Sequence, residues 1–372
     1  MGHNADIITA EEKLNTLLPV SRLQQSLPAL INAAHAWSDT VWAAAKKRGP
    51  ISLSKQQIIA GLSLASRPIF ICGVHRSGTT LVRDILDDHP QLVVLPSEGT
   101  FYTNLEAKLK AIPENKRMAY LGKEWLRRLA NPINQSPYWL LERSDDQNSA
   151  YVDFARYVMA WWEVADKTNP QWPHHAIILA YASCQNKLDA KAWVDKTPVN
   201  ERYLKRIWIE NPQALIIQLI RNPVNILASR KKMEPSITLR NALNDIKLSF
   251  SVANQQEKNN DQRFLLIRYE NICNNTQQVI EQLAAFLNIT IVPQLFTPTV
   301  AGKLAQVNSS FTTDNPFGRI LNLKQHGVLL TKTDQQYLGV RLGNLAPHLG
   351  YTVMRINPLF NYPLRLLYLL KS

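Results

Sequence analysis

The segment from Pro68 to Leu86 limits the possible folds more than any other part of the chain. The apolar run Ile69-Phe70-Ile71-Cys72 stops at Gly73, and Leu81, Val82, Ile85 and Leu86 then recur at helical spacing. A short run without polar alternation is a strand buried on both faces. Between strand and helix lies Gly73-Val74-His75-Arg76-Ser77-Gly78-Thr79-Thr80. The N–H groups of such a turn, with the positive end of the following helix, form a nest for phosphate or sulfate oxygens. Gly73 and Gly78 keep the P-loop spacing G-x-x-x-x-G, but Thr79 stands where a nucleotide-hydrolysing P-loop has lysine. The nest survives this change, whereas the lysine that reaches a γ-phosphate is lost.

Further strands are expected at Val93–Leu95, Ala192–Val194, Ala214–Ile220 and Phe264–Ile267, with helical patterns at Asn200–Glu210, Val224–Lys232 and Asn241–Gln256. Strands alternating with helices imply an α/β, P-loop-like three-layer fold with a mainly parallel sheet flanked by helices. Residues 66–356 would form this domain. Residues 1–65 read as an N-terminal helical extension, because apolar residues recur at helical intervals in Lys13–Leu18 and Ala29–Ala45. The stretch 102–190 reads as mostly helical and carries Trp125, Tyr138, Trp139, Trp161, Trp162 and Trp172. Aromatic faces suit stacking on a sugar or aromatic ligand, but core packing is their commoner role. His174 and His175 have no third ligand at metal-binding spacing and read as surface or core polar residues.

Arg76-Ser77-Gly78-Thr79-Thr80 resembles the 5′-phosphosulfate loop of sulfotransferases that use 3′-phosphoadenosine-5′-phosphosulfate (PAPS). The likeness runs on through Asp88-His89-Pro90 to Glu98, where it is similar to the tyrosylprotein sulfotransferase branch and its bacterial relatives. Leu215–Arg230 resembles the family's second cofactor segment: a strand delivers Arg221-Asn222-Pro223, and Ser229 follows eight residues after Arg221. Asp195-Lys196-Thr197-Pro198 and Arg268-Tyr269-Glu270 are weaker matches.

The resemblance implies that residues 76–80 hold the 5′ side of the cofactor, Arg221 and Ser229 its 3′-phosphate, and Tyr269 the nucleotide. It also implies that Arg76 and Lys196 neutralise the sulfonate and departing phosphate, with no metal required, and that Glu98 is the general base for a hydroxyl acceptor. One departure is that Leu95-Pro96-Ser97-Glu98-Gly99 carries one glutamate where the tyrosylprotein branch has two, shifted by a residue. His75 is expected to face away from the cofactor. Ser309, Ser310 and Lys324 lie where that branch has further cofactor contacts. Plainer roles stand beside these: Ser77, Thr79 and Thr80 as helix caps, Arg221 and Ser229 as surface residues, and Lys196, Glu98 and Tyr269 in ion pairs or packing. The competing functions are a P-loop kinase or nucleotide hydrolase with a degenerate lysine, and a non-catalytic nucleotide-binding protein. The acceptor class stays open among glycans, lipid-linked molecules, small metabolites and tyrosyl proteins.

Charge agrees with an anionic ligand, since 42 Lys and Arg face 29 Asp and Glu for a formal charge of +13. No nucleic-acid partner is expected, because zinc-finger, basic-zipper and RNA-binding signatures are missing. The longest apolar stretches run to about seven residues, short of the roughly 20 a spanning helix needs. The first residues mix Asp6, Glu11, Glu12 and Lys13 with apolar positions, unlike a signal peptide. With three cysteines, Cys72, Cys184 and Cys273, in no metal-ligand spacing, a reducing cytoplasm is expected. The tail at 357–372 mixes leucines and aromatics with Arg365 and Lys371, a composition suited either to the surface of an anionic membrane or to docking on its own domain.

Overall fold

A computed structural model describes residues 2–18, 26–134, 136–141, 147–307, 316–321 and 330–355. Ser309, Ser310, Lys324 and the tail at 357–372 lie outside them. Five strands form one sheet: β1 Pro68–Cys72, β2 Leu92–Val94, β3 Ala192–Lys196, β4 Leu215–Ile220 and β5 Phe264–Arg268. Every pairing is parallel, and the order is β2-β3-β1-β4-β5. The four later strands fall where the apolar runs predict them, each within two residues at either end. The pattern 200–210 differs, opening as a 3₁₀ turn at Asn200–Tyr203 before the α-helix Leu204–Glu210. Its first residues are pulled inward, where the Glu201 carboxylate accepts from the Gly73 N–H at 2.9 Å.

The alternation of strand side chains divides the apolar residues between two cores. On one face Phe70, Cys72, Val93, Trp193 and Ile216 join a large core with Trp37, Trp125 and Trp161. On the other, Ile69, Ile71, Leu92, Val194, Ile217 and Leu219 pack on Val82, Ile85 and Leu86 of the helix Thr79–Leu86. A third cluster joins Ile220 to Ile226, Leu227 and Phe250. This is why β1 reads as unbroken apolar sequence: successive residues point into different cores, and all five are buried. Fully burying a side chain of this size stabilises by about 1.5 to 3 kcal/mol before entropy is counted.

The N-terminal helices α1 Gly2–Leu17, α2 Leu27–Arg48 and α3 Lys55–Ala65 belong to the larger core, to which they contribute Leu14, Leu30, Trp37 and Leu64. Ser54 starts α3 with a reciprocal cap: its Oγ accepts from the Gln57 N–H at 3.2 Å, and its own N–H donates to Gln57 Oε1 at 2.9 Å. Most of 102–190 is helical, in Glu106–Ala111, Glu114–Ala130, Gln147–Val164 and Trp172–Cys184. No helix of the described residues is long and apolar enough to cross a membrane.

The site follows from sheet order. β1 is central, and the chain crosses it between β3 and β4, so the loops after the strands open around a crevice at their carboxyl ends. Register sets the heights: Ile71 pairs with Lys196 on one side and Ile217 on the other, while Ile220 pairs with Arg268.

Candidate active site

The loop after β1 is held in an uncommon shape. Gly78 caps the following helix at φ 103°, and a Cβ there would stand 2.3 Å from the Tyr269 ring. Glycine alone meets both conditions. Arg76 adopts φ 74°, a left-handed conformation unusual for a residue with a Cβ. No side chain caps the first turn of the helix at Thr79. Ser77 is fully buried, and its Oγ has no hydrogen-bond partner. A buried hydroxyl without a partner is disfavoured unless something completes it, and an oxygen-rich anion in the loop would.

The second segment closes on the first. β4 ends at Ile220 and Arg221 follows it; then Asn222 Oδ1 accepts from the Val224 N–H at 2.9 Å and Pro223 takes the first helical position, an abrupt start for the helix Pro223–Met233. That helix brings Ser229 to Arg76, whose Nε donates to Ser229 Oγ at 2.9 Å. Arg221 donates from Nη1 to the Arg76 carbonyl at 3.2 Å, and its guanidinium stacks 4.5 Å from the centre of the Tyr269 ring. Its Nε is buried without a partner. Burial and then the neighbouring Arg221 charge hold the proton affinity of Arg76 below its ordinary value. Two guanidiniums, a serine, an unpartnered hydroxyl and an uncapped helix start thus share one corner, a donor set suited to an anion with phosphate groups at two places.

Glu98 and Lys196 meet across the next part of the crevice. Lys196 Nζ lies 2.5 Å from Glu98 Oε1; the lysine side chain is 4% exposed and the glutamate 38%. Burial pushes Glu98 up, but the Lys196 ammonium, aided by His75 and Arg83, outweighs this and holds it below the usual carboxylate range. Burial also pushes Lys196 down, only partly offset by Glu98. His75 is lowered, first by burial, and feels the charges of both Glu98 and Lys196.

The Glu98 loop is fastened to β3 through its backbone. The Gly99 N–H donates to Asp195 Oδ1 at 2.8 Å, and the Thr100 N–H to Thr197 Oγ1 at 2.9 Å. A Cβ at Gly99 would lie 2.6 Å from Asp195 Oδ2 and 2.7 Å from His174 Nε2. Burial pushes the Asp195 carboxyl up to about 6. Because its folded pKa is raised, its contribution to stability is complete below the unfolded pKa, about 3.9, and fades as pH rises through about 6. Asp195→Asn should therefore flatten the fall in stability between pH 4 and pH 6 by on the order of 1 to 3 kcal/mol. Urea unfolding at several pH values checks this; an unchanged slope would rule it out.

Beside this pair opens a cleft of about 570 Å³, whose walls include Thr80, Glu98, Lys196, Arg128, Asn131 and Asn134. Trp139, Trp161 and Trp162 are buried in the core, and Trp172 packs against it. None of the aromatics of 102–190 named above lines the cleft. His174 is buried against Phe101, Trp125 and Trp193. Sequence reasoning missed Arg83 and Arg128, which line the cleft from two different helices, Thr79–Leu86 and Glu114–Ala130. No pattern in the sequence marks either one. Among the described residues no three His, Cys, Asp or Glu side chains gather to hold a metal ion.

A parallel sheet of this order, with a glycine-bounded loop between its central strand and the following helix, defines a P-loop-like α/β fold. The sulfotransferase family model matches residues 68–293, and the chain belongs to that family. Among solved structures it is similar to the sulfotransferase domain of the olefin synthase of Synechococcus PCC 7002, at 19% identity over 81% of this chain and 94% of that one, with a TM-score of 0.38. The sulfotransferase domain from the curacin biosynthetic pathway gives 18% identity over 77% and 98%, with a TM-score of 0.41. Sulfotransferase STF9 from Mycobacterium avium gives 12% over 91% and 88%, with a TM-score of 0.43. The curated proteins include no match.

Proposed function

We propose that this protein transfers a sulfuryl group from PAPS to a hydroxyl of an acceptor seated in the cleft beside Glu98. The observation that carries this reading is the meeting of the two cofactor segments, in which Arg76 touches Ser229 and Arg221 holds the Arg76 carbonyl. In this reading Arg221 and Ser229 bind the 3′-phosphate while the loop N–H groups, Ser77 and Arg76 bind the 5′-phosphosulfate. Glu98 takes the proton of the acceptor hydroxyl as its oxygen bonds to sulfur. The sulfur–oxygen bond to the phosphate breaks, and Lys196 and Arg76 neutralise the phosphate that departs with the bonding electrons. Lys196 leaves Glu98 for this duty, which frees the carboxylate as the cofactor arrives. A kinase or hydrolase would need the lysine that Thr79 replaces.

The test is thermal shift with 3′-phosphoadenosine-5′-phosphate against ATP with magnesium, followed by transfer of labelled sulfur from PAPS to a panel of hydroxyl acceptors. Greater stabilisation by the bisphosphate is expected, since a ligand of the native state raises apparent stability. A larger shift with ATP would overturn the proposal, and stabilisation without transfer to any acceptor would favour a non-catalytic binder. Arg221→Ala should weaken the bisphosphate by about 1.5 to 3 kcal/mol, the scale of one lost charge-assisted contact, and leave 5′-AMP nearly unaffected. Calorimetry of both ligands decides; equal losses would place Arg221 away from the 3′-phosphate.

A further inference from the structure

We infer that Arg128 is a positioning residue for Glu98, holding the main chain of the base from the acceptor side of the cleft; this rests on Glu98 being the base. Arg128 lies in the last turn of the helix Glu114–Ala130, outside both cofactor segments. Its guanidinium donates from Nη1 to the Glu98 carbonyl and from Nη2 to Thr100 Oγ1 at 3.3 Å. Behind it, Nε donates to Glu124 Oε1 at 3.0 Å, and its face lies 5.3 Å from the centre of the fully buried Trp125 ring. The guanidinium is thus fixed by a carboxylate and an indole before it reaches the loop. Its side chain is 18% exposed and lines the cleft, so it stands in the site and not in the apolar core.

The same loop is also gripped along its main chain on either side. Arg83 Nη1 donates to the Pro96 carbonyl at 2.7 Å, and Asp195 and Thr197 accept from the N–H groups of Gly99 and Thr100. These contacts fix the peptide on both sides of Glu98, whose carboxylate meets Lys196. An irregular loop would otherwise sample many conformations, and a base misplaced by about 1 Å loses much of its effect. Among the described residues, Arg128 is the one whose side chain grips the carbonyl of Glu98 itself. Its three donors point in directions set by one rigid plane, which the single ammonium of lysine cannot reproduce. Each of these nitrogens is engaged by Glu124 or by the loop, so its role is to position and not to react.

Arg128→Lys keeps the charge and tests this without emptying the site, and Glu124→Gln loosens the anchor from a distance. First, the carboxyl carbon of Glu98, assigned by its disappearance in Glu98→Gln, is titrated by NMR in selectively labelled protein. Both variants should raise its pKa, Arg128→Lys by about one unit, as the pair with Lys196 loosens. An unchanged titration in both overturns the inference whatever the enzyme's activity. Second, slow hydrolysis of labelled PAPS, with water as acceptor, is followed in the single variants and in Arg128→Lys with Glu98→Gln. Arg128→Lys should lower kcat about tenfold or more with bisphosphate affinity unchanged, and the double variant should be no slower than Glu98→Gln. Multiplying losses would show that Arg128 acts apart from Glu98 and overturn its positioning role. If Glu98→Gln hydrolyses PAPS at the native rate, the base assignment fails, while the titration still decides whether Arg128 holds the loop.

Discussion

Glu98→Gln is expected to lower turnover with saturating PAPS and acceptor by about a hundredfold or more, the usual scale for a lost general base. Glutamine keeps the shape of the side chain and can still receive a hydrogen bond from Lys196, but it cannot take a proton. The ion pair adds a second expectation. In the resting protein Lys196 is engaged by Glu98 at 2.5 Å, so an anionic cofactor must compete for the ammonium. Removing the carboxylate charge removes the competitor, and the bisphosphate should bind as well as to the native protein or more tightly. Calorimetry and steady-state rates on the same preparation test both parts. Near-native turnover would move the base role to His75, which feels the charges of both partners.

Lys196→Ala should reduce turnover by about a hundred- to a thousandfold, the range seen when one group stabilising transition-state charge is removed. Its companion effect is on pH dependence. Burial is the largest influence on Glu98 and pushes it up, and the lysine is what brings it below the ordinary range. Without Lys196 the acidic limb of the pH–kcat profile should therefore move to higher pH, because a carboxylate with a raised pKa stays protonated further up the scale. A profile unchanged in position would separate Lys196 from the ionisation of Glu98. A profile that moves while kcat holds would leave the lysine as a partner of the base and not of the leaving phosphate.

The sequence was most legible where a contiguous run carries both structure and chemistry. Ile69 to Leu86 states its strand, turn and helix in order, and Arg221-Asn222-Pro223 states a strand end, a cap and a first helical turn. Each of these features is local, and backbone rules suffice to read it. What stayed hidden depends on tertiary placement. Glu98 and Lys196 are 98 positions apart and meet only because β2 and β3 pair. Arg83 and Arg128 look like ordinary helical arginines, and only packing shows that both hold the backbone of one loop. His174 reads as a polar residue in sequence, yet it lies fully buried among aromatic rings beneath Gly99, where burial lowers its pKa to about 3.

The crossover between β2 and β3 has a consequence for how relatives of this protein can diverge. The groups that the proposed function assigns to the cofactor, from the loop after β1 to Lys196, Arg221 and Tyr269, sit at or just beyond strand ends. Much of the outer wall of the cleft, including Arg128, Asn131, Ile133, Asn134, Ser136 and Pro137, comes from that single connection. The two are separate modules: one connection can be exchanged or lengthened to reshape the pocket while the sheet and its anion corner stay as they are. The exchange is not wholly free, because the same connection supplies the clamp on the carbonyl of Glu98. A graft that imports a new wall must therefore bring a donor of its own to that carbonyl, and chimeras that omit it would keep cofactor affinity and lose rate.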